Sequence, residues 1–284
     1  SEMCIRDRVT KMLLEFKCSN HRSIKEKVSF SMIAGSDNTS EELLKKFGNF
    51  RILRSAVIYG ANGSGKSNFI SALSFMRDLV SNSINHQPGQ GVFQARHKLS
   101  AEETPSEYSI QFVRNDIRYA YGFSVKQNLI QDEYLYYFPR GRQVKVFERN
   151  GLDVRPGDRY KGVFDVSISI LKDNRLFLSC AANYSNIKEI EEAFMFFNTD
   201  IVVYNPEINN WTEYSIELMQ NNDMIKKVFV DMLRALGTGA KDVKVKLEKI
   251  KLTDLPQELQ DGAVVMLAFS KAVSYTHLRA HETV

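Results

Sequence analysis

The chain has 284 residues, of which 43% are hydrophobic and 25% are charged, so a disordered or collagen-like chain is excluded. With 38 basic and 34 acidic residues the net charge is +4, which permits contact with nucleic acid without predicting it. Three cysteines are too few for a disulfide framework, and no apolar run reaches the roughly 18 residues of a membrane span, so we expect a cytoplasmic protein without a membrane segment.

The two ends of the chain differ in character from the rest. Residues 1–11 and 272–284 resemble translated adaptors of sequencing libraries, because their back-translations contain cores that are reverse complements of each other. We therefore treat both as tails that lie outside the native sequence, which we expect to start at Met12. The native C-terminus is expected beyond Lys271, so the chain is interpreted as an N-terminal fragment.

The first half of the native sequence alternates strand and helix signals. Period-two alternation predicts strands at Met12–Lys17 and Val28–Ile33, and a short helical piece is expected near residues 41–47. An apolar strand is predicted at Ile52–Tyr59. A helix follows from Lys66 to about Val80, since its apolar residues recur at three- and four-residue steps.

The second half begins with a polar loop over residues 81–107 and an antiparallel meander over residues 108–150. The dipeptides Asn115-Asp116, Gln127-Asn128, Arg140-Gly141 and Asn150-Gly151 mark its turns. Residues 163–240 are predicted to be mainly helical. The predicted helices are 174–183, 187–197 and 223–236, and the predicted strands are 201–204 and 242–252.

A phosphate-binding loop is the most specific motif of the chain. Residues Gly60–Ser67 match the pattern G-x-x-x-x-G-K-[ST], with an apolar segment before it and an amphipathic helix after it. Glycines allow successive backbone N–H groups to converge on phosphate oxygens, and the helix dipole adds positive potential there. In such loops the lysine, here Lys66, contacts the β- and γ-phosphates, and the serine, here Ser67, binds Mg²⁺. The motif predicts ATP or GTP, and the absence of an N/T-K-x-D pattern favours ATP.

The stretch Gly60–Asn68 resembles the ABC-type ATPase heads of SMC, RecF and OLD-like proteins. Those heads also carry an asparagine–aromatic–arginine–serine turn after the first strand, which corresponds here to Asn20-His21-Arg22-Ser23, with histidine in place of the aromatic residue. Further segments are similar to RloA-like and OLD-like AAA-family or ABC-type ATPases of bacterial defence. These segments are residues 30–34, 55–62, 121–123 and 176–179.

The resemblance implies an α/β fold: a truncated P-loop NTPase of the ABC-type head, with an antiparallel β meander and a helical insertion. Residues 12–271 would form one ATPase domain, with the phosphate-loop lobe at residues 12–80. The resemblance also implies ATP and Mg²⁺ as cofactors and a homodimer that sandwiches two nucleotides. It implies a defence or DNA-processing role with a nuclease partner or domain, and nucleic acid as a further partner. The alternative is a nucleotide-gated sensor or structural protein of the SMC/RecF type.

The implied nucleotide-binding residues follow from the same alignment of motifs. Arg22 is included because the arginine of the N-terminal turn approaches the nucleotide in such heads, and Ser67 is the expected Mg²⁺ ligand. The complete predicted set is Arg22, Gly60, Asn62, Gly63, Ser64, Gly65, Lys66, Ser67 and Asn68.

The acidic pair that activates water in this class has no convincing counterpart in the sequence. The nearest candidate is Ile201–Glu207, where Asn205 replaces the aspartate and Pro206 separates it from Glu207. Residues 260–263 resemble a signature motif only weakly. We therefore name no catalytic residue and expect the fragment to bind nucleotide without turning it over.

Three other groups of residues allow both a functional and an ordinary structural interpretation. His86 and His97 lack the cysteines or carboxylates that would complete a metal site, so we interpret them as exposed loop residues. Cys18 and Cys180 are interpreted as unreactive thiols. Basic and aromatic residues alternate on the meander and leave a nucleic-acid surface open as an alternative to an amphipathic hairpin; these are Tyr134, Tyr136, Tyr137, Phe138, Arg140, Arg142, Lys145 and Arg149.

Overall fold

The computed structural model describes residues 10–36, 41–204, 210–239, 242–247 and 276–279. The chain divides into two compact units, Ser1–Val203 and Tyr204–Val284. The fold is mixed α/β, with a large antiparallel sheet and packed helices in the first unit. None of the helices in the described residues is long and apolar enough to cross a membrane.

The first unit is built on a seven-stranded sheet whose neighbours all run antiparallel. The strand order is β2-β1-β5-β6-β7-β8-β9. The strands are β1 Lys11–Ser19, β2 Val28–Ser31, β5 Ser106–Arg114, β6 Ile117–Lys126, β7 Leu129–Phe138, β8 Val144–Asn150 and β9 Asp153–Pro156. Strand β1 pairs with β5 across a long stretch of sequence, and it therefore joins the N-terminal hairpin to the meander.

Two-residue turns create the tight hairpins of the meander. Asn115 and Asp116 join β5 to β6 with φ of 49° and 60°, and Gln127 and Asn128 join β6 to β7 with φ of 50° and 63°. Positive φ at both central residues matches the right-handed twist of the flanking strands, and asparagine tolerates this conformation well. The predicted meander and its turns are confirmed.

One face of the sheet carries the main hydrophobic core. Helix α1 (Lys66–Asn82) confirms the predicted helix and packs Phe69, Met76 and Val80 against this face. After the meander come α2 (Asp165–Ser169), α3 (Phe177–Tyr184) and α4 (Lys188–Met195), the last followed by a π-helical turn at Phe196–Asp200. The aromatic rings of Phe112 and Phe196 stack with centroids 3.9 Å apart, which fixes this turn on the sheet.

A small hairpin covers part of the opposite face of the sheet. Strands β3 (Leu44–Phe47) and β4 (Phe50–Leu53) pair with each other, and Ile52 packs with Met12 and Leu14 in a second buried cluster. The predicted helical piece at residues 41–47 is therefore wrong beyond a 3₁₀ turn at Glu41–Leu43. The chain reverses at Gly48, whose φ of 53° suits a hairpin, so the segment before it pairs with β4 instead of coiling.

Two predicted strands differ from the structure. The strand expected at Ile52–Tyr59 ends at Leu53, and Val57 and Tyr59 are exposed because no described strand pairs with this segment. The segment Ile201–Tyr204 is irregular. Its first amide, Ile201 N–H, donates to Phe196 O at 3.0 Å and closes the π-helical turn instead of joining a ladder.

The second unit contains helices α5 (Asn210–Asn221) and α6 (Asp223–Ala235) and a two-stranded sheet of β10 (Lys244–Leu247) and β11 (Thr276–Arg279). The Asn222 side chain caps α6 by accepting hydrogen bonds from Met224 N and Ile225 N. Helix α6 ends before Gly237, whose φ is 73°, as the sequence predicts. The rest of the strand predicted at residues 242–252 lies outside the described residues, as do most of both tails, whose adaptor origin stays a prediction.

Candidate phosphate-binding site

The loop before α1 has the backbone that the motif demands. Gly63 and Gly65 have φ of 80° and 94°, in the left-handed region that favours glycine. Gly65 is the N-terminal cap of α1, and its carbonyl accepts the Phe69 N–H at 3.0 Å. A Cβ on Gly60 would lie 2.7 Å from Ser64 Oγ, so a side chain at this position would require Ser64 to shift. The loop therefore ends at a free helix N-terminus, where backbone N–H groups are available to an anion.

The Lys66 ammonium lies directly on this loop. Its Nζ donates hydrogen bonds to Gly60 O at 2.7 Å and to Ala61 O at 2.8 Å. The cation is thus held over the loop at the helix N-terminus. Ser67, the predicted Mg²⁺ ligand, is exposed on the first turn of α1, and Asn62 is exposed in the loop. Lys66 and Ser67 are therefore available to a phosphate and its metal ion at the same place.

A cavity of about 350 Å³ opens beside the loop, which is a size that small-ligand sites commonly have. One part of its wall is the polar loop, with Gly60, Ser64, Gly65 and Lys66. The other part is mainly apolar and comes from the N-terminal hairpin, from α1 and from the segment before the loop; it consists of Ile24, Val28, Ser29, Phe30, Ile58, Tyr59 and Phe69. The cavity therefore combines a polar wall at the loop with a mainly apolar wall.

The N-terminal turn Asn20–Ser23 lies against the start of α1. Asn68 Nδ2 donates to Ser23 Oγ at 2.7 Å, so the predicted nucleotide ligand Asn68 has a protein partner in this structure. Arg22 is exposed with φ of 51°, and its N–H donates to Ala95 O at 2.6 Å. Arg22 is not among the residues that line the cavity. Its proposed approach to the nucleotide stays a prediction.

Comparison with protein families places this loop in a known context. Residues 55–161 match the family model described as "AAA domain, putative AbiEii toxin, Type IV TA system". This part of the chain is therefore similar to AAA-type, P-loop ATPase domains. Domains of this type generally bind ATP with Mg²⁺. A search of curated proteins finds no match to the chain.

His21 is a buried residue of the first unit that the sequence did not single out as functional. Its Nδ1 lies 2.8 Å from Tyr108 Oη on β5, and its Nε2 lies 3.3 Å from Ser71 Oγ on α1. Burial, together with the neighbouring Arg22 charge, lowers its pKa to about 4, so the ring is neutral at pH 7. The only sequence signal was its place in the asparagine–histidine–arginine–serine turn. The ring therefore joins the turn to both the sheet and α1.

Neutral His21 makes stability depend on pH. Because its folded-state pKa lies near 4 and its unfolded value near 6.5, the unfolded chain binds the extra proton first. Its contribution is complete above pH 6.5 and is lost as the pH falls toward 4, a change of about 3 kcal/mol. Urea unfolding at pH 7 and pH 4 should therefore show a loss that is about 3 kcal/mol smaller in His21→Gln. An equal loss in both proteins would contradict the buried, neutral ring.

The described histidines and cysteines have ordinary structural contacts. No group of three His, Cys, Asp or Glu residues that could hold a metal ion occurs among the described residues. His86 and His97 are half-buried, which corrects their expected exposure, and both bond to backbone groups: Asn174 O for His86 and Leu99 N for His97. Cys18 and Cys180 are both buried, and burial raises the pKa of Cys18 to about 11 and that of Cys180 to about 12.

The basic and aromatic residues of the meander do not form one accessible surface. Arg149 is fully buried and pairs with Glu133, and Tyr137 is also buried. Tyr136 donates a hydrogen bond to Glu148, which also pairs with Lys145. A nucleic-acid surface that includes Arg149 and Tyr137 is therefore wrong. The end of the candidate acidic segment, Asn205–Glu207, and the signature-like residues 260–263 lie outside the described residues.

Proposed function

We propose that this chain binds ATP as its Mg²⁺ complex and is the ATP-binding part of an ATPase. One observation carries the proposal: the glycine-shaped loop, with the Lys66 ammonium held over it, opens into a cavity that has an apolar wall. A triphosphate needs converging N–H donors and a cation, whereas an adenine ring needs apolar contact. The loop and the cavity provide both within one site.

The predicted residues of the loop and of the first α1 residues have distinct roles in this proposal. The backbone N–H groups of the loop donate to the phosphates, since Gly63 and Gly65 permit the required curvature. Lys66 leaves the two loop carbonyls and pairs with the terminal phosphates, and Ser67 Oγ binds Mg²⁺. Phe30 and Ile24 provide apolar contact for the base. Gly60, Asn62 and Ser64 complete the loop around the phosphates.

Hydrolysis is proposed for the full-length protein. Phosphoryl transfer to water requires a carboxylate that orients the nucleophile. None of the described residues that line the cavity is aspartate or glutamate. The lack of aspartate and glutamate in this described lining also favours the alternative proposal. The alternative is a nucleotide-gated sensor of the SMC/RecF type in which ATP binding drives dimerisation. We propose that the chain as given binds ATP and does not turn it over.

The biological role proposed for the full-length ATPase is to power a phage-defence or DNA-processing effector. The description of the matched family refers to a toxin of a type IV toxin–antitoxin system. This description supports the proposed defence role. The resemblance of Gly60–Asn68 to SMC, RecF and OLD-like heads supports a homodimer that closes over two nucleotides. It also supports a nuclease as a partner or further domain, and nucleic acid as a further ligand.

One titration tests nucleotide binding and dimerisation together. We expect calorimetry to show saturable binding of Mg·ATP. The affinity should fall when EDTA removes Mg²⁺, and the affinity for GTP should be lower than that for ATP. Light scattering on the same samples should show a dimer at saturating Mg·ATP and a monomer without it. No heat of binding at millimolar Mg·ATP would overturn the nucleotide site. Binding without a change in mass would overturn only the dimer.

A further inference from the structure

The hydroxyl of Ser23 lies at the junction between the N-terminal turn and the phosphate loop. Its Oγ accepts a hydrogen bond from Asn68 Nδ2 at 2.7 Å. The same oxygen lies 3.1 Å from the position that a Cβ would take on Gly65. Ser23 is therefore adjacent both to the last glycine of the loop and to the residue that follows Ser67. These two residues flank Lys66 and Ser67 at the start of α1.

The turn that presents Ser23 is anchored by several contacts besides the Ser23–Asn68 bond. His21 and Ile24 exchange two backbone hydrogen bonds of 2.8 Å, which closes the turn. Asn20 is almost fully buried, and its side chain donates to Thr104 O at 2.8 Å and accepts from His97 N at 3.1 Å. These bonds hold Asn20 in the left-handed region, with φ of 51°. Ser23 thus extends from a hydrogen-bonded turn toward the Asn68 side chain on α1.

We propose that Ser23 and Asn68 are a positioning pair that holds the first turn of α1 in the conformation that binds Mg·ATP. The inference rests on the proposed function. The bond fixes Asn68, and through it the backbone at Ser67, relative to the sheet. Among the described contacts, this bond is the one that attaches the Asn68 side chain to the turn. Without it, the start of α1 must be ordered when the nucleotide binds, and this ordering costs free energy.

A double-mutant cycle separates positioning from simple loss of contact. Ser23→Ala and Asn68→Ala should each weaken the binding of Mg·ATP about fivefold, because each removes one neutral hydrogen bond of about 1 kcal/mol. The double variant should be no weaker than either single variant, because the same bond is lost in all three. The melting temperature should change little, since Ser23 is exposed and Asn68 only half-buried. Ser23→Thr keeps the hydroxyl and should restore most of the affinity.

Ser74→Ala is the matched control, because Ser74 also lies on α1 but bonds to Asp78 on the same helix. It should leave the affinity for Mg·ATP unchanged. Multiplicative losses in the double variant, or wild-type affinity in Ser23→Ala, would overturn the positioning pair while the nucleotide site stands. If the wild-type chain itself fails to bind Mg·ATP, the proposed function fails instead. The two failures are therefore distinguishable within one series of titrations.

Discussion

Replacing Lys66 with alanine is expected to weaken the binding of Mg·ATP about 100-fold, which corresponds to about 2.7 kcal/mol. The Lys66 ammonium already lies within hydrogen-bond distance of two carbonyls of the loop, Gly60 O and Ala61 O. When phosphate is present, this cation exchanges carbonyl partners for charged oxygens, and charge-assisted bonds are about twice as strong as neutral ones. The variant keeps the loop glycines but removes this exchange. Isothermal titration of both proteins measures the difference.

The control for this experiment is an exposed lysine away from the cavity. Lys188 begins α4 and is exposed, and it does not line the cavity. Lys188→Ala changes the net charge by the same amount as Lys66→Ala, so it accounts for long-range attraction of the nucleotide. It should bind Mg·ATP as the wild type does. Equal affinity of Lys66→Ala and Lys188→Ala would show that the loop does not hold the phosphates.

The phosphate loop and the meander were predictable because their signals are local. Left-handed glycines, a following amphipathic helix and asparagine-containing two-residue turns each determine the backbone within a few residues. Helix α1 and the hairpin turns at Asn115 and Asn128 therefore match the sequence prediction. The location of the proposed nucleotide-binding loop at the start of α1 follows from the same local pattern.

The incorrect predictions concern residues whose state depends on distant partners. Apolar content alone predicted strands at Ile52–Tyr59 and Ile201–Tyr204, but a strand also needs a neighbour, and no described strand pairs with Val57. Likewise Ser23, Asn68 and His21 are brought together only when β1 pairs with the meander. No spacing in the sequence indicates that arrangement.

Arg149 is the clearest case of a charged residue that the sequence places at the surface and the structure places in the core. It was grouped with surface cations, yet its side chain is fully buried and donates to Glu133, Gly151 O and Lys172 O. The pair links β7 and β8 of the sheet to the segment before α3. Buried arginine is rare unless paired, and its partner lies on a neighbouring strand that only the register identifies. This pair also gives the second large prediction.

Replacing Glu133 with glutamine is expected to lower the free energy of unfolding by about 3–5 kcal/mol. The Glu133 carboxylate is fully buried and accepts hydrogen bonds from Tyr121 Oη at 2.9 Å, Leu178 N at 2.9 Å and Phe177 N at 2.6 Å, besides Arg149. It therefore caps α3 from the sheet. Burial raises the pKa of Glu133, whereas Arg149 and the two amides oppose that rise. Glutamine removes the carboxylate that pairs with the buried Arg149 charge. The side-chain NH₂ group of glutamine also faces groups that donate hydrogen bonds themselves, so it cannot accept from them.

Glu148→Gln is the matched control, because it makes the same chemical change on the adjacent strand at a half-exposed site, where the carboxylate contacts Tyr136 and Lys145. Glu148 pairs with Lys145 at 3.2 Å, and exposed pairs of this kind contribute about 1 kcal/mol or less. Urea unfolding should therefore separate the two variants by at least about 2 kcal/mol, with similar m-values. Equal stabilities would show that the Arg149 charge finds enough partners in Gly151 O and Lys172 O. In that case the backbone carbonyls, rather than the carboxylate, would hold the sheet to α3.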